Sequence, residues 1–258
     1  MNEIKIAEYE SALRKHFGEL CADRELQKLN SKRCTQLCFS ATEWGGDFAE
    51  THNRIMFLGK ANNGASVYDE LNVEKLFKKG SSVFSVEDGM HWIDRQWDTP
   101  NEYGGWRPGK SQFFRVMRSV AEAFYEHDEW YRHIAYGNFC KCNVNNNTSP
   151  DWRVYGGRTE LLTRLLETDL KYLNPKFIVC FTGSGDVGAK HETLWFSKMF
   201  LDNLKQPARL VKTIPWSQYQ LLVYESGTRY FLVTEHPMGK SERSHVEAIV
   251  NAIQDYSL

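Results

Sequence analysis

Residues Arg54–Gly64 read RIMFLGKANNG. An apolar run, Ile55–Leu58, stops at Gly59 and is followed by Lys60, Ala61, two adjacent asparagines and Gly64. Four consecutive apolar residues bounded by a glycine fit a strand buried on both faces, as in a parallel sheet. The residues after it suit either an ordinary exit turn, since asparagine tolerates left-handed backbone angles, or a loop shaped to hold a ligand.

Outward from this stretch the pattern alternates. The N-terminal MNEIKIAEYESALRKHF reads as a helix, followed by a cysteine-bearing loop. Asp69–Lys79 reads as a short helix. Residues 80–109, rich in Gly, Ser, Trp and Asp, read as a long insertion that is a lid, a partner surface or an irregular cap over the core; Met90, Trp92, Trp97, Tyr103 and Trp106 load it with large side chains. Lys110–Tyr125 has apolar residues at helical spacing. His133–Gly137 is a short strand leading into Asn138. Thr159–Leu173 is a helix ended by Pro175, and KFIVCFTG follows as a buried strand. A helix covers roughly Glu192–Leu204. QLLVYESGTRYFLVTEHP reads as two strands joined at Ser226-Gly227, and Ser241–Tyr256 closes the chain as a helix.

Strands alternating with helices predict an α/β fold in one domain spanning 1–258, with a largely parallel sheet. In such sheets ligands bind at the carboxyl ends of the strands. GKANNG, GNFCKCNVNNN, FTGSGD and TEHPMGKS all fall at such ends, which is the reason to look for one site.

Composition narrows the classes. With 33 acidic and 32 basic residues the net charge is −1, so bulk charge predicts no strong pull toward nucleic acid or anionic membranes. No apolar run approaches the roughly 18–20 residues that span a bilayer, and the N-terminus lacks a signal-type apolar stretch. A cytoplasmic monomer is the expectation. Six cysteines, Cys21, Cys34, Cys38, Cys140, Cys142 and Cys180, are then expected as thiols rather than disulfides. Cys180, within FIVCF, reads as core. Cys34-x3-Cys38 and Cys140-x-Cys142 leave a metal site open, although neither has the usual C-x2-C spacing.

The polar residues at strand ends are the candidates for chemistry. Asn62, Asn63 and Asn138 each offer an amide that donates and accepts, able to read the polar edge of a ring or fix a water. Any one of them also suits a turn. His236, just after the last apolar strand, can donate to an oxygen that gains negative charge, or make a structural bond at a turn. Lys240, Arg243 and His245 lie near the start of the last helix, where cations and free amides suit phosphate; a solvated face is the plainer reading.

Together these segments resemble the uracil-DNA glycosylase superfamily. Gly59-Lys60-Ala61-Asn62-Asn63-Gly64 stands where that family has its first motif, a strand followed by G-x-[D/E/N/A]-P-G/Y. His236-Pro237-Met238 stands at its last, a strand followed by H-P-S or H-P-A. Asn138-Phe139-Cys140-Lys141-Cys142-Asn143, with Asn147 and Pro150, is similar to a segment of the thermophilic-type iron–sulfur branch, as is LKYLNPKFIVCFTG. The order holds from about residue 34 to 256.

The resemblance implies a three-layer α/β/α fold with a short, mainly parallel sheet. It implies a DNA glycosylase that hydrolyses the N-glycosidic bond of uracil or another deaminated or damaged base, with DNA or a nucleobase-containing ligand as partner. Asn138 would read the base edge, His236 would stabilise the departing base, and Phe113 or Phe114 would stack on it beside Gly59. Met238 would wedge into the duplex, and Lys240 and Arg243 would hold phosphate. The family's water-activating acid has no match: Lys60 and Ala61 occupy its place, leaving Asn62 or Asn63 to position water. Cys34, Cys38 and Cys142 match three ligands of the branch's iron–sulfur cluster, and no cysteine in Thr159–Leu173 supplies the fourth, so no resident cofactor is expected. A non-catalytic binder of a nucleobase, nucleotide or nucleic acid on the same fold is the alternative. An unrelated α/β enzyme is a third.

Overall fold

The computed structural model describes residues 5–32, 34–61, 67–79, 81, 83–84, 89–99, 107–125, 127–145, 147, 149–183 and 195–257. The strands in chain order are β1 (Leu37–Phe39), β2 (Glu43–Trp44), β3 (Ile55–Ala61), β4 (Ile134–Cys140), β5 (Cys142–Val144), β6 (Phe177–Phe181), β7 (Arg209–Trp216), β8 (Tyr219–Ser226) and β9 (Arg229–Thr234). The helices are α1 (Ile6–Ala22), α2 (Arg24–Asn30), α3 (Val73–Leu76), α4 (His91–Arg95), α5 (Gln112–Glu122), α6 (Trp152–Tyr155), α7 (Thr159–Tyr172), α8 (Trp195–Leu201) and α9 (Glu242–Asp255).

Seven strands form one mixed sheet in the order β2-β4-β3-β6-β9-β8-β7. Its centre, β4-β3-β6-β9, is parallel; β2, β8 and β7 add antiparallel edges. β1 and β5 pair separately. This is the α/β fold that the strand–helix alternation predicts.

Successive residues of a strand face opposite sides, and β3 shows why its apolar run is unbroken. Ile55 and Phe57 join one buried cluster with α5 and α9 residues such as Met117, Val120, Ile249 and Ile253. Met56 and Leu58 join a second cluster with α1, α7 and α8 residues such as Phe17, Leu162, Leu166 and Phe200. Each fully buried Leu, Ile or Phe contributes about 1.5–3 kcal/mol of transfer free energy, so both faces of the sheet must be covered.

Several elements differ from the sequence expectation. The helix expected over Asp69–Lys79 shortens to Val73–Leu76, starting where the Asn72 side chain caps the Glu74 amide. The strand expected at His133–Gly137 runs on to Cys140, so Asn138 sits inside β4 rather than in a loop after it. β7 was not anticipated: Arg209–Trp216 carries Lys, Thr and Pro and is exposed along most of its length, a composition that an edge strand tolerates. The helix expected at Glu192–Leu204 is described from Trp195 to Leu201. Within the 80–109 insertion, Met90 and Ile93 are fully buried in the α5–α9 cluster, and Trp97 packs edge-on against Trp130 at 5.7 Å. That part is a cap on the core. Tyr103 and Trp106 lie outside the described residues. No helix among the described residues is long and apolar enough to cross a membrane.

Candidate functional site

β3 and β4 run parallel with Gly59 opposite Asn138. An ideal Cβ on Gly59 would come 2.5 Å from Asn138 Oδ1 and 3.7 Å from Phe113 Cε2. Glycine is therefore what lets the amide and the ring approach the strand. Asn138 is 6% exposed. Tyr136, two residues earlier on β4, shares a hydrogen bond with the Asn138 side chain, and burial pushes its phenol up to about 12.

Behind Asn138 lies a buried charge network. Lys141 and Asp169 are fully buried and pair at 2.6 Å. Lys141 Nζ donates to Thr42 Oγ1 at 2.6 Å and to the Asn138 carbonyl at 3.4 Å. Thr42 and Tyr9 each donate to an Asp169 oxygen at 2.6 Å. Every charge in the group has a partner, as burial requires. The carboxylate also raises the Tyr9 phenol above its ordinary range, after burial, the larger cause.

His236 follows β9. Its ring lies 5.8 Å from the Phe113 ring, tilted by 35°. The Met238 amide donates to His236 Nδ1 at 3.3 Å, so the proton of the neutral ring sits on Nε2. α5 fixes this turn as well as Phe113. Gln112 Oε1 accepts from the Gly239 amide at 2.5 Å, and its Nε2 donates to the Lys240 carbonyl at 3.3 Å. Gly239 has φ of 75°, which favours glycine. Arg115 on the next turn pairs with Glu242 at 2.5 Å.

Charges gather around the imidazole. Burial lowers the His236 pKa, and the cations Lys60 and Lys240 lower it further against the opposing pull of Glu235. Burial also lowers the Lys60 amine; Glu235 opposes this and Lys240 reinforces it. Lys240 Nζ sits 3.9 Å from a Glu235 oxygen and 5.0 Å from the centre of the Tyr219 ring. Its side chain is 16% exposed.

The expected site residues separate accordingly. Gly59, Asn138, Phe113, His236 and Lys240 belong to one group at the carboxyl ends of β3, β4 and β9. Phe114 packs edge-on against Trp92 and Tyr136 in the core. Met238 is 71% exposed. Arg243 is exposed and pairs with Glu247 at 2.8 Å. His245, expected among phosphate ligands, is instead fully buried, stacked on Trp216 at 4.2 Å, with Nε2 2.9 Å from Thr234 Oγ1. Burial holds its pKa down to about 3, so it carries no charge for an anion. Asn62 and Asn63 lie outside the described residues.

Sequence reasoning missed Glu235, Gln112 and the Lys141–Asp169 pair. Glu235 directly precedes His236, and Lys141 is the one charge within the run Phe139–Val144; those two positions are the available signals. Two surface clefts occur elsewhere. One is lined by residues from Asn147 to Arg153, the other by residues at the amino ends of β3 and β4, including Asn53 and His133. Neither is lined by Asn138, Phe113 or His236.

The three cysteines that the resemblance matches to cluster ligands differ in exposure. Cys34 is exposed, while Cys38 and Cys142 are buried. Cys38 Sγ lies 3.4 Å from the Asn143 carbonyl. Burial raises the Cys142 thiol far above its ordinary range, helped by Cys38, Cys140 and Cys21. Among the described residues no group of three or more His, Cys, Asp or Glu side chains is placed to hold a metal ion.

Searches of protein-family models and of curated protein sequences return no match to this chain.

Proposed function

We propose that the chain is a uracil-DNA glycosylase-like protein that accepts an extruded, deaminated or damaged base at the carboxyl ends of β3, β4 and β9 and hydrolyses its N-glycosidic bond. The observation that carries this reading is the approach of Asn138 and the Phe113 ring to Gly59, with the His236 ring 5.8 Å from Phe113.

An enzyme acting on a base takes it out of the stack. Asn138 reads its edge, since one amide donates and accepts at once. Tyr136 and the carbonyl contact from Lys141 hold that amide in place. As the glycosidic bond breaks, the electron pair passes to the base. The Nε2–H of neutral His236 donates to the base oxygen that gains this charge. Burial, and after it the cations Lys60 and Lys240, favours the neutral imidazole. Glu235 is the one anion acting on His236 among the described residues, and it offsets part of their positive field where the sugar becomes cationic. With no acid at Lys60 or Ala61, water is positioned rather than deprotonated, which lowers the rate by about 10²–10⁴-fold relative to general-base catalysis.

A second reading, a binder of nucleobases that does not cleave, is favoured by that same replacement of the acid by Lys60. Stoichiometric protein incubated with single- and double-stranded oligonucleotides holding uracil or another deaminated base separates the two. Abasic product supports the glycosylase. Selective binding without product, lost in Asn138→Ala, supports the binder. No abasic product from any of these bases rules out the hydrolytic reading.

A further inference from the structure

We infer that Gln112 is a positioning residue: it ties the turn from His236 to Lys240 onto the start of α5 and thereby sets the tautomer of the His236 ring. The use made of that ring rests on the glycosylase reading, whereas the tie itself stands on hydrogen bonds.

Three successive amides shape the turn. The Met238 amide donates to His236 Nδ1 at 3.3 Å, and the Lys240 amide donates to the Pro237 carbonyl at 3.1 Å. Both bonds close within the turn. The Gly239 amide between them reaches outside it, to Gln112 Oε1 at 2.5 Å. From its other end the same side chain donates through Nε2 to the Lys240 carbonyl at 3.3 Å and to Glu242 Oε1 at 3.2 Å. Gln112 therefore uses its acceptor and its donors on neighbouring peptide groups at once, which an amide can do and a charged or apolar side chain cannot.

Packing leaves the tip of this turn free. Met238 is 71% exposed. A Cβ built on Gly239 would meet nothing within 4 Å. Hydrogen bonds must then hold the shape, and the consequence reaches the imidazole. Nδ1 has to accept from the Met238 amide for the proton to sit on Nε2, the atom that donates to the departing base. Once the Gly239 amide loses its partner, the turn relaxes and the Met238 amide is no longer aimed at Nδ1.

The tie also sets a separation. Gln112 directly precedes Phe113, whose ring lies 5.8 Å from the His236 ring. The first turn of α5 thus carries both the ring that stacks on the base and the side chain that holds the imidazole opposite it. Arg115 closes the same join, pairing with Glu242 at 2.5 Å and donating to the Gly109 carbonyl at 3.0 Å.

The test compares the full chain with Gln112→Met, which keeps the length and removes the hydrogen bonds, and with the exchange Gln112→Glu plus Glu242→Gln, which restores an acceptor for Gly239 without two facing carboxylates. Thermal unfolding confirms that each variant folds. Ring-nitrogen NMR of His236 reads the tautomer without DNA. The parent and the exchange variant should show the proton on Nε2, and Gln112→Met a mixture of tautomers. Single-turnover release of uracil should slow about tenfold in Gln112→Met, the order expected for one lost hydrogen bond, with oligonucleotide affinity unchanged. A folded Gln112→Met that keeps the parent's tautomer overturns the proposal, whatever its rate. So does a loss of affinity in place of a loss of rate. If the parent releases no base, the hydrolytic reading falls, and the imidazole spectra alone decide whether Gln112 positions His236.

Discussion

Gly59 and Asn138 face each other across β3 and β4 so closely that a Cβ on Gly59 would stand 2.5 Å from Asn138 Oδ1. The atom it would strike is the end of a side chain, not backbone. Gly59→Ala should therefore displace the amide while the sheet stays paired. The expected outcome is a loss of base binding equal to that of Asn138→Ala, with a stability change within about 1–2 kcal/mol. Fluorescence titration with a damaged oligonucleotide and thermal unfolding check the two halves. Full binding by Gly59→Ala would place the base elsewhere.

The Lys60 charge is one of the causes that hold the His236 pKa down, after burial. Replacing the cation by a neutral side chain of similar length should raise it. In Lys60→Met the imidazole is expected to titrate at higher pH than in the parent, followed by ring-nitrogen NMR. An unchanged titration would mean that the Lys60 amine points away from His236.

Lys141 and Asp169 pair at 2.6 Å with neither side chain exposed. Removing one partner strands the other charge in the core. Lys141→Met and Asp169→Asn are each expected to lose about 3–5 kcal/mol in urea unfolding. Lys141→Met paired with Asp169→Leu should recover part of that loss, because no unpaired charge remains. A loss in the double variant equal to the sum of the singles would show that the two sites act independently.

His245 supplies a pH signature. Its folded pKa of about 3 lies below the ordinary 6.5. The unfolded chain thus binds the proton more readily. The stability it contributes is fully present above pH 6.5 and is lost as pH falls toward the folded value. Between pH 7 and pH 4.5 this one group should cost on the order of 2 kcal/mol. His245→Gln should flatten that part of the unfolding profile by the same amount; an unaltered pH slope would contradict the burial argument.

The sequence shows the fold wherever burial is two-sided. The β3 and β6 runs, and the amphipathic spacing of α5, α7 and α9, are direct consequences of packing against both faces of a sheet. β7 escapes because an exposed edge strand has no apolar pattern to read. The same contrast governs the site. Asn138 and His236 are chemically distinctive residues at the ends of β4 and β9, so position suggests them, whereas Phe113, on α5, follows only from the resemblance. Glu235 looked like an ordinary charge beside a turn, and Lys141 looked like part of a cysteine segment. Only the third dimension brings Lys141 onto Asp169, and Glu235 within reach of Lys60 and Lys240. His245 shows the reverse failure: its place near a helix start suggested an anion ligand, and its stacking on Trp216 makes it part of the core.

The most direct test of the account is single-turnover release of uracil from a labelled oligonucleotide by the parent chain, Asn138→Ala and His236→Ala. The account predicts slow release by the parent, and a fall of about 10²–10³-fold on losing the imidazole that stabilises the departing base, with a comparable loss of binding on removing the amide. Release unaffected by either substitution, or no release of uracil or any other deaminated base at stoichiometric protein, would contradict it.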